Sequence, residues 1–158
     1  MNNKYSLPKD GGLILSGIPT DIIHRYEKIP TSIFDIESEG VGYVADIITK
    51  AISKHNASNS GKLFALGLAT GRTPLGLYRE LARRCKQGLI SFSEVEVYSI
   101  DEFYPIKSTE QQSRNYNIHE EFLNHIDIKK ENIHIIDGNV PIEELSEYCA
   151  EYDQKARN

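Results

Sequence analysis

Tryptophan is absent from this chain of 158 residues, methionine occurs once and cysteine twice. Grooves for nucleic acid combine basic tracks with stacking aromatics, whereas here 23 acidic residues outnumber 18 basic ones and no long basic run occurs. A nucleic-acid partner is therefore not expected. The one local cluster of cations, Arg79, Arg83, Arg84 and Lys86, falls on the outer side of a predicted helix and reads as a solvated face. Cys85 and Cys149 form neither a C-x-x-C motif nor a metal-ligand spacing, and both sit in helical patterns with apolar neighbours, so buried thiols are expected. No apolar stretch reaches the length of a membrane span, and the start MNNKYSLPKDGG lacks the apolar core of a signal peptide. These absences lead to the expectation of a cytoplasmic protein with no membrane partner. Repeats and low-complexity tracts are absent as well.

What is present concentrates in three segments. Leu63 to Leu81, LFALGLATGRTPLGLYREL, reads as a strand entering a helix through a glycine-containing loop. Leu63, Phe64, Ala65, Leu66 and Leu68 make the short apolar run of a strand covered on both faces. Thr73 is placed as an N-cap and Pro74 as the first helical residue, with Leu75, Tyr78, Leu81 or Ala82 and Cys85 facing the sheet and Arg79, Glu80, Arg83 and Arg84 facing water. Backbone N–H groups and the positive end of the helix dipole would converge on the loop, for which a phosphate ester is a natural ligand. The loop lacks the Lys-Ser/Thr ending of a P-loop and the three-glycine spacing of a dinucleotide motif. An ordinary strand-to-helix turn that binds nothing fits the same residues.

The second segment, Val95 to Ile106, is β-prone through Ile100 and then carries Asp101-Glu102 where the apolar character stops. Ligands of open parallel sheets bind outside the carboxyl ends of the strands, so Asp101 and the Thr70–Thr73 loop could face one crevice. A solvated turn or a helix cap is the plainer reading of the acidic pair. The third segment, Gln111 to Gly138, runs through a helix at Asn115 to His125 to a strand at Ile133, Ile135 and Ile136. The polar stretch Lys107 to Ser113 before it could act as a lid or simply cover the crevice.

Taken in order, the three segments resemble the glucosamine-6-phosphate deaminase family, which carries a Leu-Gly-x-x-Thr-Gly-x-Thr-Pro loop, an Asp-Glu-Tyr signature and an Asn-Ile-His-x-x-Asp-Gly segment. The resemblance implies a three-layer α/β fold with a parallel sheet, sugar-phosphate isomerase-like and Rossmann-like, which the alternation of strands and helices supports independently. It implies that Thr70, Gly71, Arg72 and Thr73 cradle the phosphate of a sugar phosphate. Asp101 would move a proton between the substrate's C2 and C1, with Glu102 beside it in the catalytic motif. Conversion of glucosamine 6-phosphate to fructose 6-phosphate and ammonia would follow through hydrolysis at C2, which places the activity among the hydrolases. No organic cofactor and no metal are implied.

Ala69, Arg72, Ile100 and Phe103 depart from the residues usual in the family, Phe103 standing where tyrosine is common. The family's ring-opening Asp-Gly-His-Ile segment has no counterpart before the chain ends, and His119, His125 and His134 do not stand in that motif and are assigned structural or surface roles. The expectation is an incomplete fold: residues 1–35 as a partly flexible N-terminal extension and 36–158 as the N-terminal part of a deaminase-like domain, inactive or weakly active alone. Uncovered apolar surface would favour a homo-oligomer. Two alternatives share the fold. A 6-phosphogluconolactonase would continue Asp-Glu with Arg, where this chain has Phe103. A sugar-phosphate sensor of the repressor type would carry a helix-turn-helix, and residues 1–40 do not read as one.

Within residues 1–40 the pattern suggests a mobile start to about Asp10 and a short strand at Leu13–Ser16. Val41, Val44, Ala45, Ile48 and Ile52 predict a helix after Glu39-Gly40, closed by the loop HNASNSGK. Pro141 is placed at the opening of a last helix with Leu145, Tyr148, Cys149 and Tyr152 on one side.

Overall fold

The computed structural model describes residues 31–58 and 61–157, together with the backbone of residues 5, 6, 14 and 15. The chain divides into two compact units, residues 1–40 and 41–158. In the first, strands β1 (Tyr5–Ser6) and β2 (Ile14–Leu15) pair antiparallel, with Tyr5 opposite Leu15. The strand anticipated at Leu13–Ser16 is thus present at its centre, while the rest of the expected mobile start lies outside the described residues.

From Glu37, across the boundary into the second unit, the chain alternates helix and strand. Helix α1 (Glu37–Ala57) begins at Glu37, ahead of Gly40. Glu37 and Glu39 in its first turn and Lys54 and His55 in its last complement the helix dipole, which favours this longer helix despite two glycines. Then come β3 (Phe64–Leu68), α2 (Leu75–Lys86), β4 (Val95–Ser99), α3 (Arg114–Glu121), β5 (Ile133–His134) and α4 (Leu145–Arg157). The sheet has the order β3-β4-β5 with both pairings parallel, as the alternation requires.

One face of the sheet carries the apolar core. Val95 and Val97 of β4 and Leu68 of β3 pack with Ala45 and Ile52 of α1, Tyr78 and Leu81 of α2, Ile118 of α3 and the side chains of Phe92 and Phe122. Each Val, Leu, Ile and Phe side chain among these contributes roughly 1.5–3 kcal/mol on burial, so this side dominates the stability of the unit. The Phe122 ring stacks on Tyr78 at 4.8 Å and meets Phe92 edge-on at 5.5 Å. The opposite face, formed by Glu96 and Tyr98, is polar and lies under α4: the Tyr152 hydroxyl donates to the carbonyls of Ser99 and His134, both at 2.9 Å. Helices on both faces give the three-layer arrangement.

Several local expectations are corrected. Ala65 and Gly67 of β3 are exposed, so that strand is covered on one face only; it stands at the edge of this sheet, and α4 covers β4 and β5 instead. Arg84 is not a surface cation: its side chain is 14% accessible and ties α2 to α1 through Asp46 at 2.7 Å, beside Glu80 at 2.7 Å. Hydrogen bonds from Arg83 and Arg84 hold the Glu80 carboxyl down to about 2. Cys149 is exposed; Cys85 is half-buried and donates to Asp127 at 3.2 Å, and burial raises its thiol pKa. The last helix opens at Leu145 rather than Pro141, which instead accepts the Glu144 N–H in a preceding turn. The third strand is two residues long, and the third helix ends at Glu121, followed by a 3-10 turn at Leu123–His125. Among the described residues no helix is long and apolar enough to cross a membrane.

Candidate active site

The parallel register brings the first two sequence segments together. Leu68 pairs with Ser99, and the Ile100 N–H continues the ladder to the Leu68 carbonyl at 3.2 Å. Thr70 and Asp101 each follow two residues later, at the carboxyl edge of adjacent strands. Gly71 has φ +94°, a conformation that side chains with a Cβ rarely adopt, and nothing lies within 4 Å of where a Cβ would stand. The turn is therefore open on its outer side.

Helix α2 begins one residue later than expected. Pro74 occupies the N-cap position at φ −81° and ψ −8°, and no side chain caps the helix. Thr73 thus does not cap it, because the bend at Gly71 and the fixed φ of Pro74 carry the chain into the helix through a bond from Leu75 N–H to the Arg72 carbonyl at 3.3 Å. Helix N-termini leave backbone donors without intrahelical partners. Beside this one lies a cavity of about 230 Å³, bordered by Thr70, Gly71 and Arg72 on one side and by Arg114 and Asn117 of α3 on the other. Thr73 does not line it. Tyr78 lies behind the loop, its hydroxyl donating to the Ala69 carbonyl at 2.5 Å, and burial pushes its phenol up to about 12. It therefore acts as a neutral strut.

Asp101 and Glu102 have opposite environments. The Asp101 side chain is 54% accessible and lies 3.3 Å from Arg114 Nε. That contact attracts but lacks hydrogen-bond alignment, since Arg114 Nε is buried with no hydrogen-bond partner. Glu102 turns inward and closes the N-terminus of α3. It accepts from the N–H groups of Arg114 (2.8 Å) and Asn115 (2.9 Å), from the Ser113 hydroxyl (2.8 Å) and from the Phe103 N–H (2.8 Å). Partial burial alone would raise its pKa, but these donors outweigh it and hold the carboxyl below its usual range. Ser113, fully buried, caps the same helix by accepting from Tyr116 N–H at 3.2 Å. Of the residues between Lys107 and Ser113, Lys107 and Glu110 form a turn of their own leading into this cap.

The third segment supports this edge from behind. Ile136 N–H donates to Ser99 Oγ at 2.9 Å, and the Gly138 carbonyl accepts from Ile106 N–H at 2.8 Å. A Cβ on Gly138 would stand 2.5 Å from the Phe103 carbonyl oxygen, so only glycine permits this close approach to the segment after Asp101. His134 lies in β5, where burial lowers its pKa and Glu96 is 3.5 Å away; His119 lies in α3 and His125 in the turn after it. None of the three lines the cavity.

Arg114 is the residue that reading the sequence missed. It pairs with Asp101, borders the same cavity as Thr70, Gly71 and Arg72 and lies over the Phe103 ring at 4.4 Å. Its position directly after a serine suited to cap a helix was the available signal.

The family model for glucosamine-6-phosphate isomerases/6-phosphogluconolactonase matches residues 35–158. A glucosamine-6-phosphate deaminase of Treponema denticola is 37% identical over 116 residues, covering 73% of this chain and 42% of its own length. The solved structure of a monomeric glucosamine-6-phosphate deaminase superposes with a TM-score of 0.69 at 28% identity, covering 78% of this chain and 48% of that one. A 6-phosphogluconolactonase of Thermotoga maritima superposes with a TM-score of 0.57 at 27% identity, covering 74% and 49%. The chain thus spans less than half the length of these relatives. Their names correct the expected hydrolase class: the relatives matched in sequence are deaminases and isomerases, and only the lactonase among the structural neighbours is a hydrolase. The uncapped loop before α2, Asp101 at the end of β4, the parallel sheet and these matches agree, and the chain belongs to the glucosamine-6-phosphate isomerase/6-phosphogluconolactonase family of enzymes.

Proposed function

We propose that this chain supplies the phosphate-binding and proton-transfer part of an amino-sugar phosphate deaminase acting on glucosamine 6-phosphate, in cytoplasmic amino-sugar catabolism. The observation that carries the reading is the register of β3 with β4, which sets the uncapped loop of α2 and an accessible carboxylate side by side on one edge of the sheet. The phosphate sits against the Thr70–Thr73 backbone, where amide donors and the helix dipole favour an anion. Asp101 removes the proton from C2 of the open-chain amino sugar and returns it to C1, passing through an enolamine to an iminium at C2; water then adds to C2, and ammonia leaves as the C2 carbonyl of fructose 6-phosphate forms. Glu102 acts by positioning: with four donors satisfied, it fixes the start of α3 and thereby the segment on which Asp101 stands. Residues 36–158 form the deaminase-like part and residues 1–35 an extension to it. Exposed apolar side chains, Ile100, Phe103 and Ile142 among them, are what self-association would bury, to be read by sedimentation velocity.

The test has two arms. Glucosamine 6-phosphate protects the amides of Gly71, Arg72 and Thr73 from hydrogen exchange, and equal protection by unphosphorylated glucosamine would remove the phosphate assignment. Asp101→Asn abolishes exchange of the C2 proton with solvent while changing affinity by less than about tenfold; retained exchange would remove Asp101 as the base. Ammonia release, measured alongside, reports how much of the reaction these residues sustain.

A further inference from the structure

We infer that Arg114 is a second phosphate ligand of this site, reaching the cavity from α3 opposite Arg72. The inference rests on the phosphate-loop reading above. Its first support is placement, since Arg114 and Arg72 border the same 230 Å³ cavity from different elements. Three of the polar side chains around them are already engaged, and Thr70 adds only a neutral hydroxyl. Asn117 Nδ2 donates to the carbonyls of Ser113 (2.7 Å) and Gln111 (3.1 Å), Tyr78 donates to Ala69, and Glu121 is 3.6 Å from Arg79. The two arginines are therefore the charged donors left for an anion.

The second support is the state of the guanidinium. It lies over the Phe103 ring at 4.4 Å, which fixes its plane and spares conformational entropy when a ligand binds. Its Nε is buried without an aligned acceptor although Asp101 Oδ2 is 3.3 Å away. A buried donor in that condition requires an explanation, and a site whose acceptor arrives with the ligand supplies one. Arg114 can exchange an unaligned ion pair for a charge-assisted hydrogen bond to a phosphate oxygen at little cost. The phenyl ring of Phe103, which lacks the family's usual hydroxyl, serves here as the platform for this arginine.

The experiment is calorimetric titration of the whole chain with glucosamine 6-phosphate, inorganic phosphate and glucosamine. Arg114→Gln weakens both phosphate compounds by at least about tenfold, and Arg114→Lys falls between it and the wild type, because a lysine keeps the charge but loses the fork and the stack. The backbone N–H of residue 114 still reaches Glu102 in both variants, so α3 keeps its cap, and circular dichroism with thermal melting verifies this. Binding of phosphate by Arg114→Gln within twofold of wild type overturns the inference and leaves the loop reading intact. A wild-type chain that binds neither phosphate compound overturns the loop reading, and the inference with it.

Discussion

Helices α2 and α3 both start at the carboxyl edge of the sheet, and their N-termini are treated in opposite ways. The start of α3 is filled: Ser113 accepts from one backbone N–H, and Glu102 accepts from two more and from the Ser113 hydroxyl. The start of α2 has no side-chain cap, is entered through a glycine at φ +94° and borders a cavity. Both ends carry the same dipole and the same unpaired donors in principle. The chain places its own carboxylate on one and leaves the other without a side-chain acceptor, which is where the proposed function puts an anion. The adjacent acids differ for the same reason, Glu102 being consumed by the closed helix end while Asp101 stays accessible.

The largest effect is expected from opening the closed end. Glu102→Ala leaves the Arg114 and Asn115 N–H groups without their charged acceptor, a loss of about 2–3 kcal/mol in urea unfolding at neutral pH. The contribution depends on pH in a definite direction. The folded-state pKa of Glu102 is depressed, so the stabilisation is complete above the unfolded-state value near 4.5 and disappears as pH falls through the lower folded value. The stability gap between wild type and Glu102→Ala should therefore narrow in acid; a gap that widened there would contradict the assignment.

The next effect comes from the open end. Gly71→Ala places a Cβ at φ +94°, which costs about 1–2 kcal/mol of backbone strain, although the space around it is empty. Because the strain is local to the loop proposed to hold phosphate, its relief by rearrangement should also weaken binding of glucosamine 6-phosphate. A variant with wild-type stability and wild-type affinity would mean that the left-handed turn is not required.

Much of this arrangement was legible in the sequence, and the failures share a cause. The alternation of apolar runs gave β3, α2, β4 and α3 in order, and Gly71 with Pro74 marked the turn, because those signals are local. The capping of α3 by Glu102 joins residues eleven to thirteen apart through a loop whose path no periodicity fixes, although a helix cap was one plain reading of the acidic pair. Arg84 looked like a surface cation because its partner Asp46 belongs to another helix. The need for glycine at 138 comes from the backbone of Phe103, thirty-five residues earlier, and likewise has no local sign. Arg114 was overlooked because an arginine at the start of a helix opposes the dipole, and its compensation by Asp101 and Phe103 exists only once β4 and α3 are brought together.

The smallest effects provide the finest comparison, between the two hydroxyl residues that precede the helices. Ser113 accepts from Tyr116 N–H and donates to Glu102, and it is completely buried, so Ser113→Ala should cost about 1–2 kcal/mol. Thr73 is exposed and caps nothing, so Thr73→Ala should change the unfolding free energy by less than about 0.5 kcal/mol. Equal losses would show that α2 is capped after all and that its terminus is not free for a ligand. If instead the serine variant loses stability and the threonine variant does not, the difference measures how far each helix end is closed by the chain itself. A threonine variant that keeps its stability but binds glucosamine 6-phosphate more weakly would then locate the function of Thr73 in the ligand complex, because the free protein would have shown no use for its hydroxyl.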